Sequence, residues 1–299
     1  MIFYYLGVIL MIVFILQGVA FMGLLERHFL GGSQVRIGPN KVGWNGLAQA
    51  ILDGLKLMKK EHVFLCFSTV ISFFFVPVLS FMVMIMFWFS LPYVFSFFSF
   101  EYSGIFFMCI MGISVFPIMM SGILSGGKYS FLAGLRSSCQ SYSYEIAFSL
   151  YFLIFLVFNS GYCLYLSFNF CFFLFFLPFF CLVLIDLHRA PFDFTEGESE
   201  LVSGINLEFV GFACLFLGEY GNLLYFCFLI SIFFFNMNFF FFYFSVVLGV
   251  FARSVYPRFR YDKLMNLCWN YFLPIGFYFF GFFFVFFILC LFSLKFLEL

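Results

Sequence analysis

Charged side chains are scarce in this chain of 299 residues. It has 14 Lys and Arg, 14 Asp and Glu and 3 His, so only 9% of its residues are charged and its formal net charge is +0. Hydrophobic residues make up 65% of the chain, and the mean hydropathy is +1.14. Soluble domains carry about 25% charged residues, so this composition excludes an ordinary soluble fold. We also expect no nucleic-acid partner, because proteins that bind one present a basic surface.

Motifs for metal and redox chemistry are missing as well. The ten cysteines are never closer than eight residues apart, they form no CxxC pair, and the three histidines are scattered. This spacing argues against zinc, iron–sulfur and redox-thiol roles and favours cysteine as a small apolar side chain. No glycine cluster has the spacing of a dinucleotide-binding or phosphate-binding loop. We therefore expect the chain to bind no metal and no redox cofactor of its own.

Long apolar runs dominate the sequence instead. Segments of about 20 apolar residues are typical of membrane-spanning helices. Eight such segments cover residues 3–25, 64–91, 103–126, 140–158, 165–185, 206–234, 236–253 and 270–293. The connection between the sixth and the seventh is only Asn236-Met237-Asn238. We predict an all-α integral membrane protein with about eight transmembrane helices, forming a single polytopic domain over residues 1–299.

Basic residues are confined to one set of connections. Thirteen of the 14 Lys and Arg lie in the connections after the first, third, fifth and seventh helix, and only Lys295 does not. With eight helices these connections share one side of the membrane, and both termini lie on the other. The positive-inside rule places the basic side in the cytoplasm or the mitochondrial matrix. We expect this side to bind partner proteins, and we interpret the fourth basic connection, residues 253–263, as a topology determinant.

The first basic connection contains an amphipathic segment over about residues 46–60. Its apolar residues recur with helical spacing at Leu47, Ile51, Leu55 and Met58, whereas polar residues such as Asp53 occupy the other side. About 15 residues are too few to cross a bilayer, so the pattern predicts a helix that lies in the membrane interface. This helix could serve as a surface anchor or as the wall of a cavity that opens at the membrane surface.

Acidic residues are concentrated in the third basic connection, over about residues 186–208. Six of the 14 Asp and Glu lie between Asp186 and Glu208, and the flanking segments are among the most apolar in the chain. Ionisable groups next to the hydrocarbon core are costly and usually mark a path for protons, ions or substrates. The alternative is a solvated acidic loop, but such a loop has no need of the interleaved His188, Arg189 and Pro191.

Further acidic residues are predicted within the membrane helices. Glu145 falls at the start of the fourth predicted helix. Glu208 and Glu219 are eleven residues apart, which is close to three helical turns, so both lie on one stripe of the sixth helix. Two acids on one stripe suit a proton relay better than a lipid-facing surface.

Six short motifs follow one another along nearly the whole chain. They are Leu25-Glu26-Arg27, Arg36-Ile37-Gly38-Pro39-Asn40-Lys41-Val42-Gly43, Ser143-Tyr144-Glu145, Arg189-Ala190-Pro191-Phe192-Asp193, Glu196-Gly197-Glu198-Ser199-Glu200-Leu201-Val202-Ser203-Gly204 and Tyr256-Pro257-Arg258-Phe259-Arg260-Tyr261-Asp262. In sequence and in order they resemble the motifs of the subunit 1 family of NADH:ubiquinone oxidoreductase, respiratory complex I.

The resemblance implies a membrane subunit that forms much of the ubiquinone-binding chamber and couples quinone reduction to proton translocation. The residues implied to bind quinone are Glu26, Arg27, Arg36, Asp53 and Arg189. Those implied to form the proton pathway are Glu145, Asp186, Glu196, Glu198, Glu200, Glu208 and Glu219. Ubiquinone would be the substrate, whereas FMN and the iron–sulfur clusters would lie in partner subunits of the complex. Membrane lipids are the remaining implied partners.

The chain departs from the family pattern at three points. Asp186-Leu187-His188-Arg189 stands where the family usually has Glu-Thr-Asn-Arg, which shortens one carboxylate side chain and adds a titratable histidine. Glu208 and Glu219 are about two residues closer than the family spacing, and the connection between the sixth and seventh helices is unusually short. The contributions of Asp186, His188 and Glu219 are therefore open at this point.

Three other functions fit parts of the sequence. The membrane anchor of an energy-converting hydrogenase shares these motifs but would have no quinone. A stand-alone proton or cation transporter fits the hydropathy and the acidic residues, but it leaves the interfacial helix and the basic side unexplained. A structural scaffold with inert carboxylates is the third.

Phenylalanine is unusually abundant, with 60 residues in 299. Leu, Ile and Phe are almost interchangeable against lipid, so mutation pressure on the gene can choose among them. An excess of Phe indicates a T-rich coding strand, as organelle genomes often have. Together with the resemblance, this predicts an organelle-encoded, multi-pass protein of the mitochondrial inner membrane.

Overall fold

Helices joined by short turns and loops make up the ranges that the computed structural model describes, which are residues 2–59, 70–93, 100–124, 128–159, 161–164, 170–192 and 212–297. The helices are α1 (Ile2–Ser33), α2 (Leu47–Lys59), α3 (Val70–Phe89), α4 (Ser103–Leu124), α5 (Lys128–Phe158), α6 (Phe176–Asp186), α7 (Phe212–Phe235), α8 (Phe239–Val255), α9 (Tyr261–Leu267) and α10 (Leu273–Leu297). Short 3-10 turns precede α2 (Trp44–Gly46) and α6 (Phe170–Phe175), and a π turn (Cys268–Phe272) joins α9 to α10.

Eight apolar helices account for the long apolar runs. Within the described ranges, five are long and apolar enough to cross a membrane, namely Tyr5–Ser33, Ser103–Leu124, Ser130–Phe158, Cys214–Phe235 and Tyr261–Leu289. Three shorter apolar helices, Phe74–Phe89, Phe173–Asp186 and Phe239–Val255, complete the set. The predicted all-α membrane fold is therefore confirmed. The amphipathic α2 begins and ends one residue inside the range predicted for the interfacial helix.

The short connection between α7 and α8 is a tight turn. Asn236 and Met237 have φ angles of 52° and 60°, and this left-handed backbone reverses the chain within three residues. The backbone N–H of Met237 donates to the carbonyl of Ser231 at 2.9 Å, which continues the hydrogen bonding of α7 into the turn. The predicted boundary at residues 236–238 is confirmed.

Helix α5 begins earlier than the sequence predicts. Its first residue is Lys128, not residue 140, so the predicted start was wrong. Polar residues lowered the apolarity of this stretch, but their hydroxyl groups bond to the helix itself. Ser137 donates to the carbonyl of Gly134 at 3.1 Å, and Ser141 donates to the carbonyl of Ser137 at 3.0 Å. These bonds satisfy the polar groups inside the bundle, so the first part of α5 is a helix whose serine face is buried.

Helices α5 and α7 form the centre of the bundle. Helix α5 packs against α4, α6 and α10, and α7 packs against α1, α3 and α8. Aromatic rings fill the spaces between α5 and the helices around it. Phe155 of α5 stacks on Phe233 of α7 with ring centroids 4.4 Å apart, and Phe107 of α4 lies 4.8 Å from Phe152 of α5. This aromatic core fixes the positions from which the polar side chains of the site project.

The crossing of α4 and α5 requires two glycines. A Cβ atom on Gly122 would lie 2.7 Å from the Cα of Gly134, and one on Gly134 would lie 2.8 Å from the Cα of Gly122. Because the atom that each Cβ would meet belongs to the backbone, it cannot move aside as a flexible side chain could. Small residues at such crossings let membrane helices approach closely.

We expect Gly134→Leu to prevent accumulation of the folded chain, because the added side chain would force α4 and α5 apart. Overpacking of this kind costs about 1–3 kcal/mol or more. The matched control is Gly281→Leu on α10, where a Cβ meets no atom within 4 Å. Native gel electrophoresis of detergent-solubilised membranes measures both variants. Normal accumulation of Gly134→Leu would contradict the close crossing.

Candidate functional site

A buried carboxylate, Glu26 of α1, joins three parts of the bundle. Only 7% of this residue is exposed. The hydroxyl of Tyr220 on α7 donates to its Oε2 at 2.5 Å, and Nη1 of Arg253 on α8 donates to its Oε1 at 2.6 Å. Nη1 of Arg189, in the turn after α6, lies 3.9 Å from Oε1. We call Glu26, Arg189, Tyr220 and Arg253 the Glu26 cluster, in which two cations flank one carboxylate.

Arg189 is the central cation of this cluster. The Cζ of its guanidinium lies 4.1 Å from the ring centroid of Tyr220, a distance at which a cation is attracted to the aromatic face. Burial alone would lower the pKa of this guanidinium, but neighbouring Tyr220, Glu26 and Glu219 outweigh burial and raise the pKa above its usual value. The site therefore holds a permanent positive charge at the end of α6.

Backbone contacts hold Arg189 in place. Its N–H donates to the carbonyl of Leu184 at 3.3 Å, and its own carbonyl accepts from the N–H of Phe192 at 2.8 Å. On either side of Arg189, the carbonyls of Ile185 and Phe192 lie 3.4 and 3.5 Å from Nε2 of Gln140, a fully buried side chain of α5. The turn is thus attached to the core of the bundle.

A cavity of about 720 Å³ opens between α1, α2 and α7. We call it the surface cavity. Apolar residues such as Val19, Leu24 and Phe216 form part of its wall, and Arg27 and Asp53 are among its polar residues. Nη1 of Arg27 lies 2.6 Å from Oδ2 of Asp53, and the amide of Gln49 donates to Oδ1 of Asp53 at 2.8 Å. The interfacial helix is therefore one wall of the cavity as well as a surface element.

A second cavity of about 110 Å³ lies between α3, α4, α5, α7 and the end of α6. We call it the inner cavity. Its polar lining consists of Ser80, Ser114, Ser121, Ser141, Asp186, His188, Arg189, Glu219 and Asn222. Arg189 therefore belongs to the Glu26 cluster and also lines the inner cavity. Glu145 of α5 interacts electrostatically with Asp186. The carboxylate of Glu145 lies beside Gly112 of α4, because a Cβ atom on Gly112 would be 3.3 Å from Oε1 of Glu145.

The structure groups some of the predicted site residues and separates others. Glu26 and Arg189 meet in the Glu26 cluster, and Arg27 and Asp53 meet at the surface cavity. Arg36 is not among the lining residues of either cavity, and its Nε donates to Oε1 of Gln34 at 2.8 Å on an exposed loop. Asp186, Glu219 and Glu145 lie at or near the inner cavity. Glu196, Glu198, Glu200 and Glu208 lie outside the described residues.

Sequence reasoning missed three residues of the site. Arg253 was interpreted only as a topology determinant, whereas its guanidinium binds Glu26, which is 227 positions away along the chain. Tyr220 and Gln140 were given no role. The adjacency of Tyr220 to Glu219 and the placement of Arg253 in the last turn of an apolar helix were weak local signals. Neither indicates which distant residue is the partner.

Fold and site together define a class of protein. It is a polytopic membrane protein with a cavity beside the amphipathic helix and with buried ionisable groups around a polar space inside the bundle. The comparison with known proteins specifies the family. The family model described as NADH dehydrogenase matches residues 6–285, and the chain belongs to this family.

Proteins called NADH-ubiquinone oxidoreductase chain 1 are similar over most of their length. The one from Anopheles gambiae is 40% identical over 288 residues, which cover 91% of each chain. The one from Locusta migratoria is 39% identical over 294 residues, covering 93% of this chain and 94% of the relative. The one from Danio rerio is 36% identical over 285 residues, covering 87% and 88%.

Proposed function

We propose that this chain is the membrane subunit of respiratory complex I that forms much of the ubiquinone-binding chamber and couples quinone reduction to proton translocation. The observation that carries the proposal is the double position of Arg189. This cation lies 3.9 Å from Glu26, whose chain neighbour Arg27 lines the surface cavity, and it also lines the inner cavity with its two carboxylates. A charge change at the quinone would thus act on acidic groups inside the bundle.

The surface cavity suits a quinone with an apolar tail. Its volume of about 720 Å³ falls within the range of about 300–1,000 Å³ that is usual for small-molecule sites. Apolar side chains from α1 and α7 would contact the tail and ring. Arg27 and Asp53 would supply the polar groups that orient a head group at the membrane surface.

Reduction of quinone to quinol takes up two electrons and two protons. The electrons would come from an iron–sulfur cluster in a partner subunit. In this chain, Arg189 would stabilise negative charge as it develops, and the carboxylates would respond by changing their proton occupancy. Asp186, Glu219 and Glu145 are placed to transmit that response into the bundle. We propose that Glu196, Glu198, Glu200 and Glu208 belong to the same pathway.

The proposal includes an assembly and a location. Partner subunits would hold FMN and the iron–sulfur clusters, and the basic side of this chain would bind them. Other complex I subunits and lipids would cover the apolar outer faces of the bundle. The location would be the mitochondrial inner membrane, with the chain encoded in the organelle, as its phenylalanine content indicates.

Filling the surface cavity tests the quinone site. We expect Gly23→Trp to lower quinone reduction by NADH at least about tenfold, a loss equal to about 1.4 kcal/mol, because the indole would occupy the cavity. Gly23→Ala should have little effect, since a Cβ at this position meets no atom within 4 Å. NADH oxidation with an artificial electron acceptor should be unchanged in both, which shows that the complex is assembled.

Ile9→Trp is the matched control on the same helix. Ile9 is 59% exposed and lies away from the cavity, so the same bulky side chain should leave quinone reduction unchanged. An assembled Gly23→Trp complex that reduces quinone at the normal rate would refute the site.

A further inference from the structure

His188 adopts an unusual backbone conformation beside the inner cavity. Its φ of 49° lies in the left-handed region, which non-glycine residues seldom occupy. Its N–H donates to the carbonyl of Ile185 at 3.1 Å. The conformation turns the chain at the end of α6, and the imidazole joins Asp186 and Arg189 in the lining of the cavity. None of the contacts used in the proposed quinone site involves this imidazole.

The hydrogen bonds around His188 are compatible with a proton on Nε2. Nε2 lies 3.0 Å from Oγ of Ser141. When the hydroxyl of Ser141 donates to the carbonyl of Ser137, 3.0 Å away, Ser141 accepts from Nε2–H and Nδ1 keeps a free lone pair. The inference uses this tautomer.

That lone pair has no hydrogen-bond partner among the described residues, although Nδ1 is buried. The buried Oδ1 of Asn222, another residue of the inner cavity, also lacks one within these ranges. Leaving a buried acceptor without a hydrogen bond is energetically unfavourable. The cavity of about 110 Å³ has room for several ordered waters, each of which needs at least about 10–15 Å³ and two or more polar partners. Water is the donor that this space admits.

We propose that His188 carries protons across the inner cavity, between Asp186 and Glu219, with Nδ1 as the atom that accepts and releases the proton. The inference rests on the proposed function and adds a residue to it. Nδ1 takes a proton from the carboxylic acid of Asp186 through cavity water, which leaves a carboxylate and an imidazolium. The imidazolium releases that proton from Nδ1 to the carboxylate of Glu219. Nε2–H stays bonded to Ser141 throughout, and no electrons move.

The electrostatic surroundings suit a transient carrier. Burial lowers the pKa of His188 to about 4, so the imidazole is predominantly neutral at pH 7. The charged groups around it are Asp186 on α6, Arg189 in the same turn, Glu219 on α7, and Glu145 on α5 beside Asp186. Burial and the positive charge of Arg189 both disfavour the imidazolium, so the protonated form is a minor state that passes its proton on to a carboxylate.

The test uses His188→Asn in the assembled complex. Asparagine tolerates positive φ and can still donate to Ser141, but it does not carry a proton at neutral pH. It is also the residue that the family usually has here, next to a Glu in place of Asp186, so the inference holds that the shorter Asp186 of this chain makes the imidazole necessary. We expect the rate of proton translocation, with quinone as acceptor, to fall about tenfold in proteoliposomes. Loss of a catalytic acid–base group usually lowers a rate by about 100-fold or more, but here other steps also limit the overall rate. The solvent deuterium isotope effect on translocation should change as well. His28→Asn, on α1 outside both cavities, should behave as the unsubstituted protein.

A second variant and a second measurement complete the test. His188→Gly should lose translocation similarly and regain part of it when imidazole is added to the buffer. Normal translocation with an unchanged isotope effect in His188→Asn would overturn the inference. The double variant Asp186→Asn with Glu219→Gln tells apart two reasons for that result. If the double variant also translocated protons normally, the proposed carboxylate pathway itself would be wrong. If the double variant lost translocation while His188→Asn kept it, only the histidine inference would be wrong. If neither histidine variant accumulates, infrared difference spectra between the quinol and quinone states of the unsubstituted complex, with isotope-labelled histidine, test the inference instead. The absence of any imidazole change in these spectra would overturn it.

Discussion

Arg189→Ala is expected to reduce quinone-dependent NADH oxidation by about 100-fold, which corresponds to about 3 kcal/mol. The substitution removes the permanent cation that faces both Glu26 and the inner cavity. Arg189→Lys should retain more activity, because it keeps the charge, but less than full activity, because an ammonium group lacks the planar guanidinium that lies over Tyr220. Steady-state rates in isolated membranes, with ubiquinone as acceptor, measure the effect.

NADH oxidation with an artificial acceptor is the control for Arg189→Ala, since that reaction does not need the quinone site. It should stay near the normal rate. If both activities fell in parallel, the substitution would have prevented assembly and a direct role would lose its support. If both stayed normal, Arg189 would have no part in the reaction.

The second large effect is expected for Glu26→Ala. The substitution leaves the partly buried guanidiniums of Arg189 and Arg253 without the carboxylate that lies between them. Removing one partner of a buried ion pair costs about 3–5 kcal/mol, and because Arg253 is about one-third exposed, we expect a loss near the lower end. Thermal denaturation of the purified complex, together with its abundance, measures the loss.

Two further variants separate pairing from packing. Asp53→Ala breaks the ion pair between Asp53 and Arg27. The side chain of Arg27 is 49% exposed and that of Asp53 is 34% exposed, so the expected loss of stability is only about 0–1 kcal/mol. Adding Arg253→Leu to Glu26→Ala should recover part of the lost stability, because it removes one of the cations left unpaired. Equal behaviour of Glu26→Ala and Asp53→Ala would mean that burial of the Glu26 cluster has no energetic consequence.

The sequence predicted the membrane helices well because apolar length alone is a sufficient signal for a helix in a bilayer. The interfacial helix could be predicted because its apolar residues recur with helical spacing, and α2 lies within the predicted range. The start of α5 was wrong for the opposite reason. The serines at the start of α5 lower the hydropathy of the sequence as loop serines do, although their hydroxyls bond to carbonyls of their own helix. Hydropathy alone cannot distinguish the two cases.

The candidate site was predictable only in part. Runs such as Leu25-Glu26-Arg27 indicated which ionisable residues to consider, because charge near hydrocarbon is costly. Their partners could not be deduced, since Glu26 meets residues 194 and 227 positions away. The same limit applies within one helix turn: Glu26 points into the Glu26 cluster, whereas its neighbour Arg27 faces the surface cavity. The proposed roles of Glu196, Glu198 and Glu200 stay predictions.

The three-residue turn between α7 and α8 has a consequence for how the protein enters the membrane during synthesis. Three extended residues reach about 10 Å, whereas the hydrocarbon layer is about 30 Å thick. After α7 has crossed, α8 therefore has no slack with which to wait on the far side as a separate segment. The two helices have to leave the insertion machinery together as one hairpin, already packed through rings such as Phe228 and Phe242, whose centroids are 3.9 Å apart. Tyr220 and Arg253 would then reach Glu26 in a single docking step.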